Sequence, residues 1–380
     1  MSISDIPDKT RYLLWGKAAG RCEYEGCNKP LWLDSLTKAE FNTAYIAHII
    51  ADQPNGPRGN AKLSEKLQRD ISNLMLMCDE HHRLIDKEDI DGHPVERLRE
   101  MKRKHEKRIE ILTSINEDKQ SHILLYGANI GRQNAPLSYE KASVAMVSER
   151  YPAETRAIEL SLKNSSFQDH EEQYWDIEQE HLIRQFDERV KARLASSEIN
   201  HFSIFAIAPQ PLLMEFGRLL SDIPAADVYQ LHREPADWKW QEHPDRFKYI
   251  ITEPNTFDGT PVLILSLSAT IINDRITKIL KEPHSVWSMT VEHPNNDFLK
   301  SRLQLQMFRT AFRKLLNQIK ANHGETKVIH LFPAVPVSIA VEIGRVWMPK
   351  ADLPIKVYEQ NRSIGGFTPV LDLENKNKTK

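Results

Sequence analysis

Apolar positions recur in two different rhythms along the chain. Over 8–19, Tyr12, Leu13 and Trp15 give a short helix its bulk, with Pro7 near its start and Gly20 as its stop. Residues 45–50 read as an extended stretch. A turn cluster of Pro54, Asn55, Gly56 and Pro57 follows, and then a short helix over 64–70. A longer helix is predicted over 94–112, where Leu98, Met101, His105, Ile109 and Leu112 fall on one stripe. Its other face carries Arg97, Arg99, Lys102, Arg103, Lys104, Lys107 and Arg108 against Glu100 and Glu106. Such a face is either solvated helix surface or a set of phosphate contacts, with Arg99, Lys102 and Arg103 as the candidates.

After a polar stretch over 113–121 the rhythm changes. Short β-rich runs, at 123–126, 202–207, 228–231, 249–252, 262–267, 286–291, 328–332 and 355–358, alternate with helical patterns at 171–195, 212–220, 272–282, 297–322 and 338–347. That alternation predicts an α/β layered domain with a largely parallel sheet. The half also repeats itself. Phe205, Pro209, Glu215, Gly217 and Arg218 recur as Phe332, Pro336, Glu342, Gly344 and Arg345, all displaced by 127 positions. Val228-Tyr229 recurs as Val357-Tyr358 at a displacement of 129. Equal offsets across strand, turn and helix indicate two Rossmann-like halves. In such sheets ligands sit beyond the carboxyl ends of strands. The candidates there are Gln210, Arg233, Ser268, Thr270, Ser338 and Arg362, with Trp238, Trp240 and Tyr358 as possible stacking platforms or interior packing. Gly217 and Gly344 read as close-packing positions, and Arg218 and Arg345 as members of structural ion pairs.

The length, 380 residues, suggests two or three domains. With 27% charged residues and a net charge of −2, bulk charge does not drive nucleic-acid binding. From residue 119 onward, 32 Lys and Arg balance 32 Asp and Glu, which disfavours a DNA-reading role for that half. The first fifteen residues lack a signal-peptide core, and the longest greasy run, 262–272, is too short and serine-rich to span a bilayer. A cytoplasmic, membrane-free location is expected.

The three cysteines, Cys22, Cys27 and Cys78, are confined to one end. With His81 they form two close ligand pairs about fifty residues apart, the spacing of a structural zinc site. Interleaved with these pairs stand His48, Asn73 and His82. That order resembles the HNH endonucleases, whose ββα-metal fold carries a His on a strand and an Asn and a His on the following turn and helix. The resemblance implies that His48 is the general base for water attack on a phosphodiester. It implies that His82 ligates a catalytic Mg²⁺ or Mn²⁺, and that Asn73 either orients His48 through the backbone or completes the metal shell. His81 and His82 divide zinc binding and catalysis between them, in that order or exchanged. Where many such enzymes place a further metal ligand this chain has Ala47, so Asp52 or Asp86 either fills the gap or caps a turn.

The duplicated half resembles the SAVED domain, built of two CARF-like Rossmann halves that sense cyclic oligonucleotides. The whole chain resembles the HNH–SAVED effector nucleases of CBASS anti-phage defence. This implies an α+β, zinc-containing HNH domain over 1–115, a linker at 116–121, a SAVED sensor over 122–374 and a disordered tail at 375–380. The implied function is degradation of double-stranded DNA triggered by a cyclic di- or trinucleotide, with messenger-driven self-association. Two other readings are an HNH restriction enzyme recognising modified DNA and a zinc-dependent DNA-binding regulator that responds to a nucleotide without cutting.

Overall fold

The computed structural model describes residues 5–115, 119–129, 137–147, 149–161, 169, 171–361 and 365–374, so the expected tail lies outside the described residues. The chain divides into two compact units, Met1–Glu117 and Asp118–Lys380.

In the first unit, α1 (Asp8–Ala18) buries Leu14 and Ala18. It ends where Ala19 and Gly20 turn left-handed and donate back to Gly16 and Trp15. β1 (Tyr45–His48) pairs antiparallel with β2 (Leu74–Met77), His48 lying opposite Leu74. Between them α2 (Ser64–Leu67) is shorter than the expected helix, because Asp70 caps a separate 3-10 turn over Ile71–Asn73. β2 is buried at every position and feeds through Cys78 into α3 (Asp79–Arg83), which continues as a wider π turn over Leu84–Glu88. α4 (Val95–Thr113) closes the unit with Leu98, Met101, Lys102 and His105 inside. Its apolar stripe therefore ends a turn earlier than the periodicity implied, and Leu112 is exposed.

The first half of the second unit runs β3 (Gln120–Gly127), α5 (Tyr139–Met146), β4 (Tyr151–Pro152), β5 (Ile158–Ser161), α6 (Glu172–Phe186), α7 (Ala192–Ala195), β6 (Phe202–Ile207), α8 (Gln210–Leu220) and β7 (Ala226–Val228). The second half runs β8 (Ile250–Thr252), β9 (Thr260–Ser266), α9 (Asp274–Thr277), β10 (His284–Thr290), α10 (Arg302–His323), β11 (Ile329–Ala334), α11 (Val337–Val346), β12 (Ile355–Asn361) and β13 (Gly366–Leu373). β3 already claims residues 120 and 121 from the expected linker, and Ser121 is fully buried against His201 and Ser203. The helix expected over 272–282 shrinks to α9, where Ile276 alone is buried and Ile272 is exposed. α10 starts at Arg302 because Ser301 and Gln304 form a capping box.

The sheets are ordered β4-β3-β6-β7, with β5 also on β3, and β13-β12-β11-β9-β10-β8. Their centres match: β5-β3-β6-β7 and β10-β9-β11-β12 are both all-parallel. A shift of 127 carries β6 onto β11. An aromatic group recurs with it, its partners displaced by 129: Phe205 stacks on Tyr229 at 4.4 Å with Trp238 edge-on at 5.2 Å, and Phe332 stacks on Tyr358 at 4.3 Å with Phe367 edge-on at 5.2 Å. The predicted duplication is thus present in the packing.

α8 and α11 meet at their repeated glycines. A Cβ at Gly217 would stand 2.0 Å from Val341 O, and one at Gly344 would stand 1.9 Å from Met214 O. Met214 and Val341 are themselves related by the 127 shift, so the contact is reciprocal and marks a local twofold axis. The flanking ion pairs also repeat, Arg218 to Glu215 at 2.6 Å and Arg345 to Glu342 at 3.0 Å. Either Gly217→Ala or Gly344→Ala should force the helix backbones apart and destabilise the second unit by about 3 kcal/mol or more. Denaturant unfolding checks this, and an unchanged midpoint would refute the close approach.

Candidate functional site

Four side chains converge beside β2. The Sγ atoms of Cys22, Cys27 and Cys78 and a ring nitrogen of His81 all lie within 4.8 Å of one another. His81 Nδ1 is 3.1 Å from Cys78 Sγ and 3.8 Å from Cys22 Sγ. Among the described residues this is the one set of three or more Cys, His or carboxylate donors that closes so tightly. Thiolates about 2.3 Å from a tetrahedral ion stand about 3.8 Å apart, so the donor set fits zinc. The local fold supplies the convergence. Cys22 and Cys27 flank a turn closed by Cys27 N–H to Tyr24 O, with Gly26 at φ 79°. Cys78 and His81 sit on the first turn of α3. The His81 ring is stacked on Tyr24 at 4.0 Å, and the Tyr24 hydroxyl donates to His93 Nε2 at 3.0 Å. Burial pushes the Cys22 and Cys78 thiols up.

Around this knot stand the three residues singled out for chemistry. His48, at the end of β1, is buried, and its Nε2 lies 2.9 Å from Gln68 O. A carbonyl only accepts, so Nε2 carries a proton, and in the neutral ring Nδ1 is then the atom with the lone pair. Asn73 clamps the strand end beyond it: Nδ2–H donates to Ile50 O at 2.8 Å, and Oδ1 accepts from Ile50 N at 2.9 Å. Both bonds fix the backbone two residues beyond His48. His82 stacks on Tyr45 at 5.0 Å and places Nε2 3.3 Å from Asp86 Oδ2. Burial raises the Asp86 carboxyl, but hydrogen bonds from His82 and Arg58 outweigh it and hold it below the usual carboxylate range. Asp86 is therefore paired rather than a turn cap. Asp52, half-buried in the bend after β1, does not join His82 and Asp86 in a three-donor cluster.

Sequence reasoning passed over Arg58. Its guanidinium, 6% exposed, donates to Ile49 O at 2.8 Å, Ile85 O at 2.5 Å and Asp86 Oδ1 at 2.6 Å, and reaches His48 O at 3.4 Å. It ties the strand that carries His48 to the segment that carries Asp86. The available signal was an arginine inside an otherwise apolar and small turn, Gly56-Pro57-Arg58-Gly59. The basic face of α4 also needs correcting. Lys102 is buried against Glu106 at 2.6 Å and Glu23 at 3.8 Å, so it is not a phosphate contact. Arg103 is exposed but engaged by Glu100, and Arg99 is exposed.

The profile of one family, the "SMODS-associated and fused to various effectors sensor domain" or SAVED, matches residues 182–373, half of the chain. The chain belongs to the SAVED family. Its solved structural neighbours include the Acinetobacter baumannii Cap4 SAVED/CARF-domain containing receptor with the cyclic trinucleotide 2′3′3′-cAAA. That pair shares 13% identity and a TM-score of 0.42, covering 78% of this chain and 60% of that one. The same receptor with 3′3′3′-cAAA gives 13% identity and 0.45, covering 78% and 66%. The Moraxella osloensis Cap4 receptor gives 13% and 0.39, covering 83% and 72%. This chain thus spans 60% of the first neighbour's length. No curated protein matches it.

Within the SAVED domain the ligand candidates separate by burial. Trp238, Ser338 and Tyr358 are core residues rather than pocket walls. Trp238 and Tyr358 belong to the two aromatic groups, and Tyr358 OH is bonded to His330 Nδ1 at 2.9 Å. Ser338 Oγ donates to Gln230 Oε1 at 2.8 Å. Gln210 joins the two halves by accepting from Val335 N at 3.1 Å. Arg233 and Thr270 are exposed, Ser268 and Trp240 are half-buried, and Arg362 lies outside the described residues. Buried polar atoms lacking a hydrogen-bond partner gather after β7, at Trp240 Nε1 and both ring nitrogens of His232.

Asn73→Ala strands the N–H and C=O of Ile50, and should cost the first unit about 2 kcal/mol or more. Urea unfolding of the full chain measures it; a variant as stable as the parent would remove the clamp.

Proposed function

We propose that the chain is an HNH-type, metal-dependent DNA endonuclease that a cyclic oligonucleotide switches on through the SAVED domain. The observation that carries this reading is the fixed tautomer of His48. Nε2–H is spent on Gln68 O, which leaves Nδ1 as an acceptor of the kind a general base needs. The imidazole takes a proton from a water molecule, and that water attacks the phosphorus of a DNA phosphodiester. Asn73 and Arg58 hold the strand end so that the ring does not drift. His82 and Asp86 would hold a divalent cation. Their facing atoms are 3.3 Å apart, close to the roughly 3 Å between adjacent ligands of an octahedral ion. Mg²⁺ or Mn²⁺ there supplies charge neutralisation at the scissile phosphate and the leaving 3′ oxygen. The Cys₃His knot would hold a structural zinc, with four protein donors and no open position for water.

The sensor character of the SAVED family and the balanced charge of the second half support a small anionic messenger over a DNA-reading role. A messenger moves an equilibrium only by binding one state better than the other. Control is therefore assigned to messenger-driven self-association that brings nuclease units together on one duplex.

Plasmid incubated with the protein, Mg²⁺ and a panel of cyclic di- and trinucleotides should be degraded with one messenger and left intact without it. His48→Ala should lower the cleavage rate by about 10²–10⁴-fold with messenger affinity unchanged. Undiminished cutting by that variant would remove the site. Sedimentation should show a larger species when the activating messenger is bound; full activity at unchanged mass would exclude assembly.

A further inference from the structure

β1 opens on Tyr45, which is 44% exposed and so contributes little to the core of the unit. The strand register gives its ring another use. Tyr45 lies opposite Met77, the last residue of β2, and Met77 is followed by Cys78 and the first turn of α3. The Tyr45 ring meets that helix at His82, where the two rings stack with centroids 5.0 Å apart and planes 14° from parallel. The backbone beneath the imidazole is fixed as well, because His82 N–H donates to Cys78 O at 2.9 Å.

Two contacts hold the His82 side chain, and they differ in kind. One runs from Nε2 to Asp86 Oδ2 at 3.3 Å. Nε2 is also the atom a cation would take, so that contact is given up when the pair is loaded. The other is the stack, which uses the face of the ring and leaves both nitrogens unspent. It holds with or without a cation. Asp86 has a separate support in Arg58, which donates to its Oδ1 at 2.6 Å. Tyr45 does for His82 what Arg58 does for Asp86.

Such support matters more here than at a site rich in donors. The buried Ala47 offers no ligand, and Asp52 does not join His82 and Asp86 in a three-donor cluster. With two protein donors in hand, an imidazole that had to be ordered at the moment of binding would cost the site much of its affinity.

We propose that Tyr45 is a positioning residue for His82: its ring holds the imidazole in the plane in which Nε2 faces Asp86, so that a divalent cation meets two donors already aligned. The assignment rests on the cation site proposed above. It makes the aromatic ring the working part and gives the hydroxyl no role, so phenylalanine replaces Tyr45 and an aliphatic residue does not.

Mn²⁺ binding to the full-length chain, with DNA and messenger absent, tests this by electron paramagnetic resonance, in which the signal of the hydrated ion falls as it binds. Spectra are recorded below the melting transition of every variant, and the binding lost in His82→Ala defines the site. Tyr45→Val keeps a strand-forming residue at the position and removes the ring. It should weaken that binding about tenfold, the lower end of what loss of an orienting partner costs a metal ligand. Tyr45→Phe should bind as the parent does. Equal binding by Tyr45→Val and the parent overturns the assignment and leaves the cation site standing. Weakening in Tyr45→Phe as large as in Tyr45→Val overturns it too, by placing the role in the hydroxyl. A parent whose binding His82→Ala does not change overturns the cation site and the assignment with it.

Discussion

Convergence of Cys22, Cys27, Cys78 and His81 is the constraint on which the first unit depends. Its sheet has two strands of four residues each, and an isolated pair of that size is marginal in water. The helix that follows has five residues, too few to persist alone. A single ion at the four donors would fasten the 22–27 turn to the start of α3 and thereby fix β2 between them. Every proposed catalytic group hangs from that frame. His48 is paired to β2, Asn73 immediately precedes it, and His82 follows His81 on α3. Arg58 closes the frame from the other side by bonding both the strand end and Asp86. Its near-complete burial makes it a strut, not a surface charge available to DNA.

The second unit rests on a different constraint. Two helices cross with glycine on each side and no side chain between their backbones, so the seam has no compressible layer. The two halves are locked by the twofold that the duplication created, and Gln210 and Ser338 add hydrogen bonds across it. Symmetry is local and incomplete. In the second half Tyr358 OH meets His330, whereas position 203, the equivalent of 330, is a serine that bonds Ser121. The first half also leaves Trp240 and His232 with unmet polar atoms.

Much of this was legible in the sequence, for identifiable reasons. Ligand spacing and equal offsets are one-dimensional signals of three-dimensional facts, so the Cys/His knot, the duplication, the close glycine contact and the Glu–Arg pairs could be read directly. What burial decides could not. Lys102 looked like one more cation on a basic face, but it points inward to Glu23 and Glu106. Trp238 and Tyr358 looked like stacking platforms and are spent on the two aromatic groups. Arg58 was hidden in a turn, where no periodicity marks a buried side chain. β13 went unseen because Pro369 and two neighbouring glycines break its pattern, although it pairs along its length with β12 across a register shift at Val357 and Tyr358.

The most direct test is X-ray absorption at the zinc edge on the purified full-length chain. The account predicts one zinc per chain with three sulfur neighbours at about 2.3 Å and one nitrogen at about 2.0–2.1 Å. A chain that purifies folded without zinc, or with zinc surrounded by oxygen, would contradict it.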